Sequence, residues 1–396
     1  MIVTHMGYRD ASSNEIMRPP STVSDYDDAS RRRRIHETGL LADSQPWVRG
    51  AARSALGVLA VGAVTGAVFM QYWQHDVLPE RERLSQTQPV LHDIYEPENL
   101  IKDDTAVVVL AGLGNLDGVE TAKSLNAYRK MGNVWAIQYD NEGIDVDVIT
   151  QLILKKAKAE GISKIIPDGH SMGGINASKV ARHIYEETDL DVPAVVLDCP
   201  AFDIDAVRSD AREQGETMAR YIGLVPGARD SRLLRFAVEM GARSDRFING
   251  SYVDLDIDQR AFFEATDEVL REKIFPHDIA SNRLIESQFL TIVSSRMGDD
   301  VRALTQPKVG KRLPEIALMR PERGENDTVI DVDYVEDQMR KITRNLSVVA
   351  LNDTGHANPN QRPEEYNQAI ETYIVPLGNW RPEPRDAHVP DLAQGK

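Results

Sequence analysis

Lys164-Ile165-Ile166-Pro167-Asp168-Gly169-His170-Ser171-Met172-Gly173-Gly174 decides how this chain folds. A short apolar run ends in a G-x-S-x-G pentapeptide, and a segment of helical character follows from Ile175 to Tyr185. Strand, glycine-rich turn and helix in that order hold a serine hydroxyl at the carboxyl end of a parallel sheet, beside a helix N-terminus. The sharp turn forces the backbone at Ser171 into a strained conformation, and the flanking glycines let strand and helix approach closely. An isolated G-x-S-x-G arises by chance; the strand before it and the helix after it give this one its meaning.

A serine hydroxyl is a weak nucleophile at neutral pH and needs a base, which in turn needs an orienting acid. In the order serine, acid, histidine, both partners lie downstream, each after a later strand. Glu315-Ile316-Ala317-Leu318-Met319 reads as a buried strand, and its loop contains Gly324-Glu325-Asn326-Asp327-Thr328-Val329. Leu346-Ser347-Val348-Val349-Ala350-Leu351 reads as another, with the loop Asn352-Asp353-Thr354-Gly355-His356-Ala357.

With these pieces in this order, the chain resembles the α/β-hydrolase superfamily over roughly residues 100 to 376, an insertion aside. The resemblance implies Ser171 as nucleophile, His356 as general base and acid, and Asp327 as the acid that orients His356. Asp198, after the strand Ala194-Val195-Val196-Leu197, is a second candidate acid, since some members place the acid one strand earlier. Glu325 and Asp331 lie near Asp327, and Asp353 lies close enough to His356 in sequence to perturb it. His170, at the variable position of the pentapeptide, reads as packing with no catalytic role.

Acyl transfer also needs hydrogen-bond donors for the developing oxyanion. One is the backbone N–H of Met172, just after the serine. The second is expected from the loop Ala111-Gly112-Leu113-Gly114-Asn115, which follows the strand Thr105 to Leu110. That loop usually begins His-Gly in the superfamily, and here alanine takes the place of the histidine. Leu113 is the corresponding donor, with Gly114 as alternate.

Composition is compatible with one large core plus appendages: 396 residues, 41% of them hydrophobic. A net charge of −16 disfavours nucleic acid as a partner. The nine histidines show no zinc spacing, so neither metal nor cofactor is implied. Cys199 is the only cysteine and reads as a small core residue.

The N-terminal segment has a different character. Residues 1–53 are polar and without sustained periodicity, a disordered composition. They carry eight arginines, four of them at Arg31 to Arg34, no lysine and seven acidic residues. No charged residue occurs from Ser54 to Gln74, and Tyr72 and Trp73 close that apolar run. Residues 54–74 are therefore expected to span a membrane as a single helix. The arginine-rich side is expected in the cytoplasm and the catalytic domain on the extracytoplasmic side of the cell membrane. Gly62 and Gly66 form a G-x-x-x-G pair that could pack two such helices into a homodimer.

Residues 75–104 read as a linker or stalk that could add a short strand near Val90 to Tyr95. From 105 onward strand and helix alternate, which means a mostly parallel sheet covered on both faces. The alternation covers 105–203 and resumes over 311–377. Between them, 204–310 has helical periodicity without a strong strand, and the resemblance implies a helical cap over the active site. Residues 378–396 form a polar tail. The whole implies a membrane-anchored serine hydrolase, esterase- or lipase-like, acting on a small-molecule or lipid ester through an acyl-enzyme. An acyltransferase on the same triad and a catalytically inactive binding protein of the same fold are the alternatives.

Overall fold

The computed structural model describes residues 46–98, 104–251, 254–276 and 279–378, together with Arg32. The expectations for the remainder of 1–45 and for 379–396 fall outside these residues. The chain divides into two compact units, Met1–Met70 and Gln71–Lys396.

In the first unit the described chain is helical. Helix α1, Pro46–Tyr72, has no buried residue. Leu56, Val58, Leu59, Val61, Val64 and Val68 are all about two-thirds exposed. From Ser54 to Tyr72 it carries no charged residue, and its length and composition suffice to cross a bilayer. The described helix begins at Pro46, eight residues before the expected span at 54.

The second unit opens with a single π turn, Trp73–Val77, and helix α2, Leu78–Leu84. The linker reading fails here, since these residues are folded in. Val77 and Leu84 are fully buried. The Asp76 carboxylate accepts from Ser231 Oγ (2.6 Å) and the Arg232 N–H (3.0 Å), and Arg81 pairs with Asp230 (2.8 Å). A polar stretch looked like a tether because its ion-pairing partners lie some 150 residues away.

Strand β1, Val90–Tyr95, begins the sheet, followed by β2, Thr105–Leu110; helix α3, Val119–Ser124; β3, Asn133–Gln138; helix α4, Val146–Glu160; and β4, Lys164–His170. Helix α5, Met172–Glu187, leads to β5, Ala194–Asp198. After the insertion come β8, Glu315–Pro321; helix α11, Val332–Ile342; β9, Leu346–Leu351; and helix α12, Pro363–Ala369. The order across the sheet is β1-β3-β2-β4-β5-β8-β9, with β1 antiparallel to β3 and every other pairing parallel.

Alternation along each strand sends neighbouring side chains into two separate cores. Val108, Ile165, Leu197 and Leu318 face α4, α5 and α11. Val107, Ile166, Val196 and Met319 face the other side, with Leu125, Tyr128, Tyr366 and Ile370. Burying each such side chain contributes about 1.5–3 kcal/mol, which is why the strands are apolar on both faces. Asp145 caps α4 by accepting from the Asp147 and Val148 N–H groups, and Gly161 ends it in the left-handed region, φ 72°.

The insertion holds helices α6, Ser209–Leu224, and α7, Arg232–Ala242; a hairpin of β6, Ile248–Ser251, and β7, Asp254–Ile257; then α8, Gln259–Val269, α9, Asn282–Val293, and α10, Met297–Leu304. Two features depart from the expected helical cap of 204–310. The hairpin is too short and polar to read as strands. Helix α10 belongs with the sheet, because Met297, Val301 and Leu304 are buried in the core that holds α5.

Candidate active site

Ser171 stands between β4 and α5 with φ 55° and ψ −122°, a conformation an L-residue adopts only under constraint. Glycines supply the room. A Cβ at Gly169 would collide with the Gly173 carbonyl, and one at Gly173 with the Leu110 carbonyl. The Ser171 N–H donates to the Asp198 carbonyl oxygen at 2.8 Å, tying the turn to the end of β5.

His356 reaches Ser171 from the loop after β9. Its Nε2 lies 2.8 Å from Ser171 Oγ and its Nδ1 lies 2.8 Å from Asp327 Oδ2. Asp327 follows β8 through the turn Gly324–Asn326 and is fully buried. Its Oδ1 accepts from the Val329 (2.9 Å) and Ile330 (2.7 Å) N–H groups. Burial by itself would raise the pKa of this carboxyl, but the His356 contact and the two N–H donors outweigh it and hold it below the ordinary value. Ser171, His356 and Asp327, read from three separate loops of the sequence, thus meet in one hydrogen-bonded line.

The other acids are engaged elsewhere. Asp198 pairs with His170 Nδ1 (2.8 Å) and accepts from Tyr366 Oη (3.0 Å). Asp331 caps α11 through the Tyr334 N–H. Glu325 and Asp353 are exposed, and both ring nitrogens of His356 are already taken. His170 is more than packing: it is buried between Asp168 and Asp198.

The expected oxyanion loop lies against the serine. A Cβ on Gly112 would stand 3.1 Å from Ser171 Cβ, so only glycine lets the loop come this close comfortably. Tyr139 Oη holds the loop's start by donating to the Ala111 carbonyl at 2.8 Å. Among the described residues the N–H groups of Leu113 and Met172 have no hydrogen-bond partner, whereas the Gly114 N–H donates to Gln288 Oε1 at 2.8 Å. Leu113, Ser171 and His356 border a cleft of about 540 Å³, whose walls include Ile204, Val207, Phe289 and Ile292 from the insertion.

Two contributors carried no sequence signal. Arg208, at the start of the insertion, donates to the backbone carbonyls of Asp327 (2.7 Å) and Gly324 (3.0 Å) and pins the acid loop. Gln288 does the same for the loop from Gly112 to Asn115, bonding the Gly114 N–H and the Asn115 carbonyl. Cys199, Asp327 and His356 bring metal-ligating atoms within 4.8 Å of one another. They suit an ion poorly: burial, followed by the charges of Asp198 and Asp327, pushes the Cys199 thiol well above its ordinary pKa and away from the thiolate a metal needs.

A mostly parallel sheet covered on both faces, with serine, acid and histidine at the carboxyl ends of β4, β8 and β9, is the α/β-hydrolase fold. No protein-family model matches the sequence, and no curated protein matches it. Among solved structures, a membrane phospholipase A described as a bacterial virulence factor shares 18% identity, over 83% of this chain and 100% of its own, at a TM-score of 0.46. An esterase from Exiguobacterium antarcticum (14%, 73% and 96%, 0.45) and a monoacylglycerol lipase from Paleococcus ferrophilus (16%, 73% and 99%, 0.44) are similar in the same way. At such identity and overlap none of these matches carries weight for substrate or reaction.

Proposed function

We propose that this protein is a serine hydrolase of carboxylic esters, attached to a membrane through α1. The observation that carries the reading is the unbroken line Ser171 Oγ, His356, Asp327, opening on a cleft walled largely by apolar side chains. His356 Nε2 takes the proton of Ser171 Oγ as that oxygen attacks the acyl carbonyl. Asp327 holds the Nδ1–H and stabilises the imidazolium. The Leu113 and Met172 N–H groups receive the oxyanion, each such donor being worth roughly 3–4 kcal/mol in the transition state. His356 then returns the proton to the leaving alcohol, and water resolves the acyl-enzyme by the same route in reverse. A lipid or cell-envelope ester suits both the apolar cleft and the anchor.

Ser171→Ala should abolish hydrolysis across a panel of acyl esters of graded chain length, together with covalent labelling by a fluorophosphonate, while the fold persists. Undiminished labelling of that variant would falsify the assignment. The attachment has its own test. Arginine costs roughly 2.5–3.5 kcal/mol per residue at the centre of a spanning helix. Val58→Arg with Val64→Arg should therefore shift the protein from the membrane fraction to the soluble one. Protease applied to the outer face of cells should digest the catalytic unit, and protection until lysis would place it in the cytoplasm.

A further inference from the structure

We infer that Gln288, in helix α9 of the insertion, is a positioning residue for the oxyanion loop, and so a determinant of turnover that lies outside the triad. The inference rests on the ester-hydrolase reading and extends it. Gln288 is fully buried and spends its carboxamide on one short piece of backbone. Its Oε1 accepts from the Gly114 N–H at 2.8 Å, and its Nε2 donates to the Asn115 carbonyl at 2.8 Å. A buried carboxamide is tolerated when both of its ends are bonded, so the loop and Gln288 fix each other.

The geometry decides which amide is left for the substrate. Gly114 sits in the left-handed region at φ +85°, and its N–H is committed to Gln288. The Asn115 N–H is committed to the Gly112 carbonyl (3.3 Å). Of the three amides from Leu113 to Asn115, the Leu113 N–H alone has no protein partner among the described residues. Removing Gln288 would free the Gly114 and Asn115 peptide groups to rotate, and with them the amide of Leu113.

Gln288 itself is firmly held. Ser281 caps α9 through the Leu284 N–H (3.0 Å), and Asn282 Nδ2 donates to the carbonyls of Ala228 (2.8 Å) and Ser231 (3.0 Å). Ser287 Oγ, the preceding residue, accepts from the Ile144 N–H at 3.0 Å. The next residue, Phe289, lines the cleft. One helix therefore shapes the acyl pocket and sets the hole beside it. Gln288 touches no reacting atom, so its role acts through the loop.

Gln288→Met keeps the volume and removes both hydrogen bonds. In the full-length protein it should lower kcat about 10- to 100-fold, less than the 10²–10³ typical of deleting a donor outright. KM should stay within about threefold, because the oxyanion contact is made only in the transition state. The specific readout is a pair of substrates, p-nitrophenyl butyrate and its thionoester. Sulfur is the weaker hydrogen-bond acceptor, so an intact hole favours the oxygen ester, and a displaced donor should compress that preference. A purely structural role would lower both rates alike and leave the ratio unchanged, which would overturn the inference. Gln288→Glu keeps the acceptor for Gly114 and loses the donor to Asn115. It should show the same compression to a smaller degree, and it decides the matter if the methionine variant does not fold. If the unsubstituted chain hydrolyses the ester and labels at Ser171 while both variants match it, this inference alone is wrong. If the unsubstituted chain does neither, the ester-hydrolase reading falls and this inference falls with it.

Discussion

Two histidines lie near Ser171 in sequence or in space, each bonded to an aspartate on the sheet's carboxyl edge, and their surroundings give them opposite characters. His356 holds Asp327 with one nitrogen and Ser171 Oγ with the other, and it borders the cleft. His170 has a carboxylate on each side, Asp198 Oδ2 at 2.8 Å from Nδ1 and Asp168 Oδ2 at 3.2 Å from Nε2. Burial alone would lower the pKa of His170, but the two carboxylates overcome it and raise the value to about 10. His170 is therefore a fixed imidazolium at neutral pH, with no nitrogen to accept a proton. His356 gives its second nitrogen to the Ser171 hydroxyl, whereas His170 gives its second to another carboxylate. The contrast lies in the second partner, not in distance from the serine.

The strongest way to break this contrast is to disable the two aspartates in turn. Asp327→Asn should lower kcat by about 10⁴, the scale seen when a triad histidine loses its orienting carboxylate. Asp198→Asn should cost less than about tenfold per folded molecule. The reverse ranking in kcat would transfer the acid's role to β5.

The second test is stability. Removing one partner of a buried ion pair typically costs about 3–5 kcal/mol. His170→Gln should approach that loss in urea unfolding while kcat of the folded protein stays within a few-fold. A variant as stable as the parent would show that the buried charge contributes nothing.

A third test follows from the titration. The folded pKa of His170 lies above its unfolded value of 6.5, at about 10. The folded state thus holds a proton that the unfolded chain has released. This contribution to stability is fully present below pH 6.5 and is lost as the pH rises through about 10. The parent should lose stability over that window, and His170→Gln should lose much less. Parallel pH profiles would contradict a charged His170. The smallest effect is expected for Tyr366→Phe, which removes the hydroxyl donor to Asp198 (3.0 Å) and should cost about 0.5–1.5 kcal/mol with kcat nearly unchanged.

The three residues that meet at Ser171 were each legible in the sequence through a local mark: a glycine turn around Ser171, a strand followed by Gly-Glu-Asn-Asp, and Gly-His after the last strand. The choice between Asp327 and Asp198 was not readable, since it depends on which side chain extends across to His356. Yet a clue to His170 was present. Asp168 and His170 are two residues apart on β4, so they share a face, and in register His170 stands opposite Asp198. Recognising β4 and β5 as parallel neighbours was enough to place three ionisable groups together. Gln288 and Arg208 left no such trace, because each bonds backbone more than 100 residues away. The strand at Val90 to Tyr95 was anticipated, but the burial of Val77 and Leu84 depends on packing that no local pattern records.

The docked segment that begins at Gln71 has a practical consequence for anyone wishing to purify the second unit by itself. A start near Asp104, where the apolar alternation begins, would discard β1 and leave the hydrogen-bonding edge of β3 bare, ready to pair with another molecule. It would also strip away the Asp76 carboxylate that satisfies the first N–H of α7 and the Arg81 guanidinium that neutralises Asp230. The physical start of the second unit is where the apolar run ends, and a cut made just before Gln71 keeps every one of these contacts.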